Sequence, residues 1–183
     1  EPVESTSARS QPCGGAVCIN EALPNPNGLD DATYPGGEWL EIYNSGTTSV
    51  DVRNWYFSNK ASKTLTFDVN SIVDYDANNA STYTIDPGEY MIIARNGYSN
   101  FYVANSNDFM TLYDGSGNWI DEATWNSSSS GVSLEQDPSD PYADWIATSN
   151  PTPGSSNTGG GSTGPTFSPS ELQINEVMAD SWP

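Results

Sequence analysis

From Val17 onward, apolar residues come in short runs broken by Gly, Pro, Asn, Asp and Ser, and no stretch keeps helical spacing long enough for an amphipathic helix. The runs predict strands over 16–23, 38–44, 49–53, 55–58, 64–67, 82–85, 89–95, 109–113, 118–125, 131–135 and 144–147. Asn44-Ser45-Gly46, Asp86-Pro87-Gly88, Asn96-Gly97 and Asp114-Gly115-Ser116-Gly117 stand between them and tolerate left-handed backbone angles. Met110 and Leu112 alternate with Thr111, and the turn after Asp114 leads into Trp119-Ile120-Asp121, which predicts a hairpin. Tyr90 to Ala94 is apolar throughout, as a strand covered on both faces would be. The class is all-β, a sandwich or a barrel.

The pattern divides the chain into four parts. Residues 1–15 read as an extended arm, 16–150 as the folded domain, and 151–169 as a Gly/Ser/Thr/Pro linker with no means of building a core. Beyond the linker, 170–183 holds Leu172-Gln173-Ile174-Asn175-Glu176-Val177-Met178. It repeats Val17-Cys18-Ile19-Asn20-Glu21-Ala22-Leu23 at a constant offset of 155 residues. In both copies the apolar alternation slips phase around Asn-Glu, which suggests the same bulge or bend twice and identifies an internal repeat.

Leu, Ile, Val and Phe are scarce and the net charge is −19, a combination that usually means disorder. Six Trp and ten Tyr argue otherwise, because each large ring can bury on the order of 150–250 Å². Five Lys and Arg among 24 Asp and Glu cannot line a polyphosphate track, so nucleic acid is not an expected partner. There is no His for catalysis or metal binding, and no apolar run long enough to span a membrane. The chain opens on Glu1, which suggests removal of a preceding segment. Cys13 and Cys18 bracket Gly14-Gly15, a spacing that allows a local disulfide in an oxidising compartment. Two unpaired thiols are the plainer alternative, and a zinc site would need carboxylates to complete it.

Val17 to Pro26 (VCINEALPNP), Glu38 to Asn44 (EWLEIYN) followed by Val50-Asp51-Val52 and Trp55, and then Asp86 to Tyr90, Asp114 to Asp121 and Asn150 to Gly154 together carry a resemblance to the lamin tail domain family. The first is similar to the family's opening strand, the second to its most recognisable segment, and the others to its later turns and closing segment. Arg53-Asn54 stands where the family pattern has Gly before Trp55, residues 60–84 are longer than usual, and the cysteines fall outside the pattern. The resemblance implies an immunoglobulin-like β-sandwich with extended N- and C-terminal segments, of a kind found in nuclear lamins and in many secreted bacterial and archaeal proteins, and implies no active site. Within EWLEIYN the residues themselves supply a large apolar payload, and Glu38 and Glu41 either face solvent or accept hydrogen bonds from loops.

Candidate chemistry is sparse. A carboxylate pair could serve a glycosidase, but with 24 acids such pairs arise by chance, and the expected protein is not an enzyme. No cofactor is expected beyond calcium, which suits irregular acidic loops. Its candidate ligands are Asp30, Asp31 and Glu38, and Asp137, Asp140 and Asp144, against the plainer reading of solvated loop acids. Asn79 and Asn126 head N-x-Ser/Thr triplets in polar, loop-like stretches and are candidate glycan acceptors. Tyr34, Tyr98, Tyr102 and Tyr142 could form a carbohydrate platform, although core and rim packing accounts for most such rings.

Standing alone, residues 172–178 would expose apolar side chains and unpaired backbone groups. The expected solution is strand addition to another copy, with Leu172, Ile174, Val177 and Met178 as contacts. Donor and acceptor are different surfaces, so the assembly is open and head-to-tail, an extracellular or cell-surface fibre. The alternative is a carbohydrate- or calcium-binding adhesion module of a larger secreted protein.

Overall fold

The computed structural model describes residues 16–74, 80–136 and 145–158. Among these residues eleven strands occur in this order: β1 (Val17–Leu23), β2 (Trp39–Asn44), β3 (Val50–Asp51), β4 (Tyr56–Asn59), β5 (Thr64–Thr66), β6 (Thr84–Ile85), β7 (Tyr90–Ala94), β8 (Ser106–Tyr113), β9 (Trp119–Ser127), β10 (Ser133–Glu135) and β11 (Ile146–Thr148). They form a five-stranded sheet, β11-β10-β1-β2-β7, a four-stranded sheet, β5-β4-β8-β9, and a small β3-β6 ribbon, with antiparallel pairing throughout. The expected hairpin is β8-β9.

Alternation along the strands builds the core. Ile19, Ala22, Leu40, Ile42, Ile93 and Leu134 of the first sheet meet Phe57, Leu65, Met110, Leu112, Ala123 and Trp125 of the second, all buried in one cluster. Phe57 and Phe67 pack with tilted rings 5.1 Å apart, one of the aromatic contacts that make up for few aliphatic residues. The β1–β2 register shifts between Ile19 and Glu21, leaving Asn20 as the extra residue of a bulge. This is the phase slip seen in the sequence. At the bulge the Ile19 N–H turns to the carboxylate of Asp121 on β9 at 2.9 Å, tying the two sheets together.

Asn54 has φ 61° where the family pattern places Gly, and Asn is the non-glycine residue that tolerates this conformation at least cost. β7 departs from expectation: it is an edge strand, with Tyr90, Met91 and Ile92 only half-buried. Its outer side is partly closed by residues 71–73, through Val73 N–H to Ile92 O at 2.9 Å and Ala94 N–H to Ser71 O at 2.8 Å. The long apolar run therefore reflects a strand edge covered by a loop instead of a central strand.

Candidate functional site: a glutamate row under a C-terminal strap

The outer face of the five-stranded sheet, away from the core, carries three glutamates in register. Glu21 on β1 stands opposite Glu135 on β10 and Glu41 on β2. All three are fully buried, and among the described residues the cations form ion pairs only with other acids, Arg53 with Asp51 and Arg95 with Glu38. Like-charged side chains directly opposite each other destabilise a sheet unless something neutral satisfies them.

Residues 150–158 supply the covering. The Thr152 N–H donates to both oxygens of Glu21 at 3.1 Å, and its hydroxyl donates to Oε2 at 3.1 Å. Ser133 Oγ donates to Glu21 Oε1 at 2.6 Å. The Gly154 N–H donates to Glu41 Oε2, and Asn20 Nδ2 to Glu41 Oε1 at 2.7 Å. The Thr158 N–H reaches Glu135 at 3.4 Å. Asn157 locks the end of the strap, since its Nδ2 donates to the carbonyls of Asn20 and Gln136 at 3.0 and 2.8 Å. Its Oδ1 accepts from Asn20 Nδ2 at 2.9 Å. The bulge at Asn20 is thus what turns this side chain toward the strap. The described part of the compositional linker, 151–158, is held by the sheet, so the folded unit extends past residue 150.

Electrostatics follow from this burial. Removal from water pushes the Glu41 carboxyl up to about 7, against the lowering effect of the Gly154 N–H and Asn20, and the charge of Glu21 pushes the same way as burial. Glu21 is raised as well, chiefly by burial, with a contribution from Glu135. Tyr34, beside the row, is raised by burial and by the charges of Asp74, Glu41 and Glu21.

The remaining sequence candidates are dispersed. Glu38 is buried in an ion pair with Arg95 at 2.8 Å and accepts the Val103 N–H at 3.0 Å. Burial raises its carboxyl to about 7 despite both partners. Asp30 is exposed and Asp31 half-buried; their carbonyls hold the N–H groups of Glu38 and Gly97 at 2.8 Å each. The three do not converge, and no cluster of three potential ligand residues occurs among the described residues. Asn126 is exposed but lies in β9, where a loop was expected. Cys18 is buried on β1. Tyr34 packs against the buried Trp39 cluster, whereas Tyr98 and Tyr102 are 45% and 40% exposed. Cys13, Asn79, Asp137, Asp140, Tyr142, Asp144, Leu172, Ile174, Val177 and Met178 lie outside the described residues. No helix among the described residues is long and apolar enough to cross a membrane.

The glutamate row is not legible in the sequence, because its members are far apart along the chain. The available signal was Asn20-Glu21 and Glu41, polar residues inside otherwise apolar strands. No curated protein and no solved structure matches this chain. The family model described as Lamin Tail Domain matches residues 10–127, more than half of the sequence. That stretch contains β1 to β9, including the bulged opening strand and EWLEIYN, whose Asn44 buries its amide against the carbonyls of Thr48 and Ile85. The chain belongs to the lamin tail domain family, and its fold is the immunoglobulin-like β-sandwich of that family.

Proposed function

We propose that this protein is a non-enzymatic structural module of an extracellular fibre or surface layer, joined head to tail through residues 172–178. The observation that carries the reading is the recurrence of the β1 sequence, with the same phase slip in its apolar alternation, at residues 172–178. Aligned on β1, Leu172, Ile174 and Val177 take the core-facing places of Val17, Ile19 and Ala22. Gln173 and Met178 take the outward places of Cys18 and Leu23, and Asn175-Glu176 takes the place of Asn20-Glu21. The segment has the side chains to sit between β10 and β2 of another copy and to receive that copy's strap.

β1 lies between β10 and β2, so the incoming strand displaces it; the acceptor sheet regains its pairing and burial, and the displaced β1 takes on the exposure that residues 172–178 had, so the exchange is nearly even in energy. Donor and acceptor are different parts of the unit, so the exchange propagates. The net charge of −19 opposes approach of copies, and screening it should tighten the assembly. The cysteine pair expected to close a local clip and the N-x-Ser/Thr triplets are what support an extracellular setting.

Sedimentation velocity across protein and salt concentrations tests this. The full chain should form a concentration-dependent series of oligomers that shifts upward with salt. Deletion of residues 170–183 should leave a monomer of unchanged melting temperature. Equal assembly by both chains would overturn the reading.

A further inference from the structure

A cleft of about 400 Å³ opens between β5 with its following turn and the loop after β7. Its volume falls in the range of small-ligand sites, roughly 300–1,000 Å³. Thr64 and Thr66 line one wall, Asp68 and Asn70 the turn, and Arg95 and Tyr98 the other wall. Both walls are fixed before any ligand arrives. Ser71 Oγ donates to Thr66 O at 2.7 Å and accepts the Asp68 N–H at 2.9 Å. Asn96 Nδ2 reaches across to Asn70 O at 2.7 Å while its Oδ1 accepts the Tyr34 N–H at 2.9 Å. Asn96 and Gly97 have φ 47° and 89°, which folds the loop back so that the Arg95 Nε donates to Tyr98 O at 3.2 Å.

The chemistry of the opening narrows its ligand. Its cation, Arg95, is 7% exposed and neutralised by Glu38, so an anion gains nothing there, least of all on a protein of net charge −19. Asp68 Oδ1 accepts the Asn70 and Ser71 N–H groups at 2.8 and 3.2 Å, and its other oxygen is a single ligand, with no second carboxylate lining the cleft to complete a cation site. Exposed hydroxyls of Thr64 and Thr66 and the exposed Asn70 amide remain, with the Tyr98 ring 45% exposed beside them. Neutral donors and acceptors around a single amphipathic ring suit a ligand with many hydroxyls and one apolar face.

We propose that this cleft binds a neutral sugar ring, stacked on Tyr98 and hydrogen-bonded by Thr64, Thr66 and Asn70. Binding here is independent of head-to-tail joining, and failure of either leaves the other standing. The test is amide chemical-shift titration of the full chain with methyl glycosides of glucose, galactose, mannose and N-acetylglucosamine, each taken to about 50 mM, well past a millimolar dissociation constant. At least one should move amides within 64–71 and 95–98 and saturate. Tyr98→Ala should weaken that binding at least about tenfold, the loss of one good contact. Tyr98→Phe should retain most of it, and both variants should melt with the parent because Tyr98 is a surface residue. The proposal is overturned if none of the four sugars shifts these amides, if Tyr98→Ala binds as the parent does, or if glucuronate or choline binds the same residues more tightly.

Discussion

Replacing Glu41 by Gln should stabilise this protein at neutral and alkaline pH and change little in mild acid. Glu41 is fully buried, faces Glu21 across the β1–β2 pair, and has only neutral donors, Asn20 and the Gly154 N–H. Its carboxyl is raised from 4.5 to about 7. A folded-state value above the unfolded one means that the native protein binds more protons between these limits, so stability falls as pH rises from 4.5 to 7 and then levels off. At full ionisation the difference costs about 3 kcal/mol as an upper bound, at about 1.4 kcal/mol per tenfold change in proton affinity. Gln keeps an acceptor for Gly154 but sets its own amide donor against that of Asn20, so only part of that cost is recovered. For a domain of this size the gain at pH 8 should raise the melting temperature by roughly 3–10 °C, at about 2–4 °C per kcal/mol. Melting curves by circular dichroism for parent and E41Q at pH 4.5, 6 and 8 give the comparison. The difference between the two chains isolates Glu41 from the general relief of repulsion in acid. Parallel curves, with the same gap at pH 4.5 and 8, would refute the reasoning.

Other expectations follow from the same contacts. Arg95→Ala strands the Glu38 carboxylate, 1% exposed, without its partner and should cost about 3–5 kcal/mol by urea denaturation. Adding Glu38→Gln should recover much of that loss, whereas strict additivity would contradict the pairing. Ending the chain after Asn150 removes the donors to Glu21 and Glu41 together with the covering that raises their carboxyls, so the truncation should lower stability by about 2–4 kcal/mol at pH 4.5 and by less at pH 8, where the covered carboxylates already cost the full chain part of that gain. An equal loss at both values would mean that the strap acts by apolar covering alone. Intact mass before and after reduction should show that Cys13 and Cys18 form one intrachain disulfide, and two free thiols in material kept from reductant would contradict the expected clip.

Most of the strand layout was legible because turn residues punctuate a period-two pattern. β1 and β2 were found to within a residue at each end, and the phase slip at Asn20 located the bulge. β8 starts earlier than expected because Ser106-Asn107-Asp108 offers no apolar signal; Asp108 is buried by accepting the Lys60 and Ala104 N–H groups. The strap was invisible for a similar reason. Asn150 to Thr158 has almost nothing to bury, and what holds it is carboxylates brought together from three strands. Composition registers the absence of apolar residues but not the presence of acceptors. Glu41 illustrates the limit most clearly: its place inside EWLEIYN allowed either solvent or a loop donor, and only the fold brings Gly154 to it.

The claim that most needs testing is that residues 172–178 take the place of β1 in another copy. On the alignment with β1, Gln173 occupies the place of Cys18, whose register partner is Tyr43. A chain carrying Gln173→Cys and Tyr43→Cys, with Cys13 and Cys18 replaced by Ser, should cross-link under mild oxidation into a ladder of dimers, trimers and higher species on a non-reducing gel. Monomer alone, at every protein and salt concentration, would contradict head-to-tail strand addition.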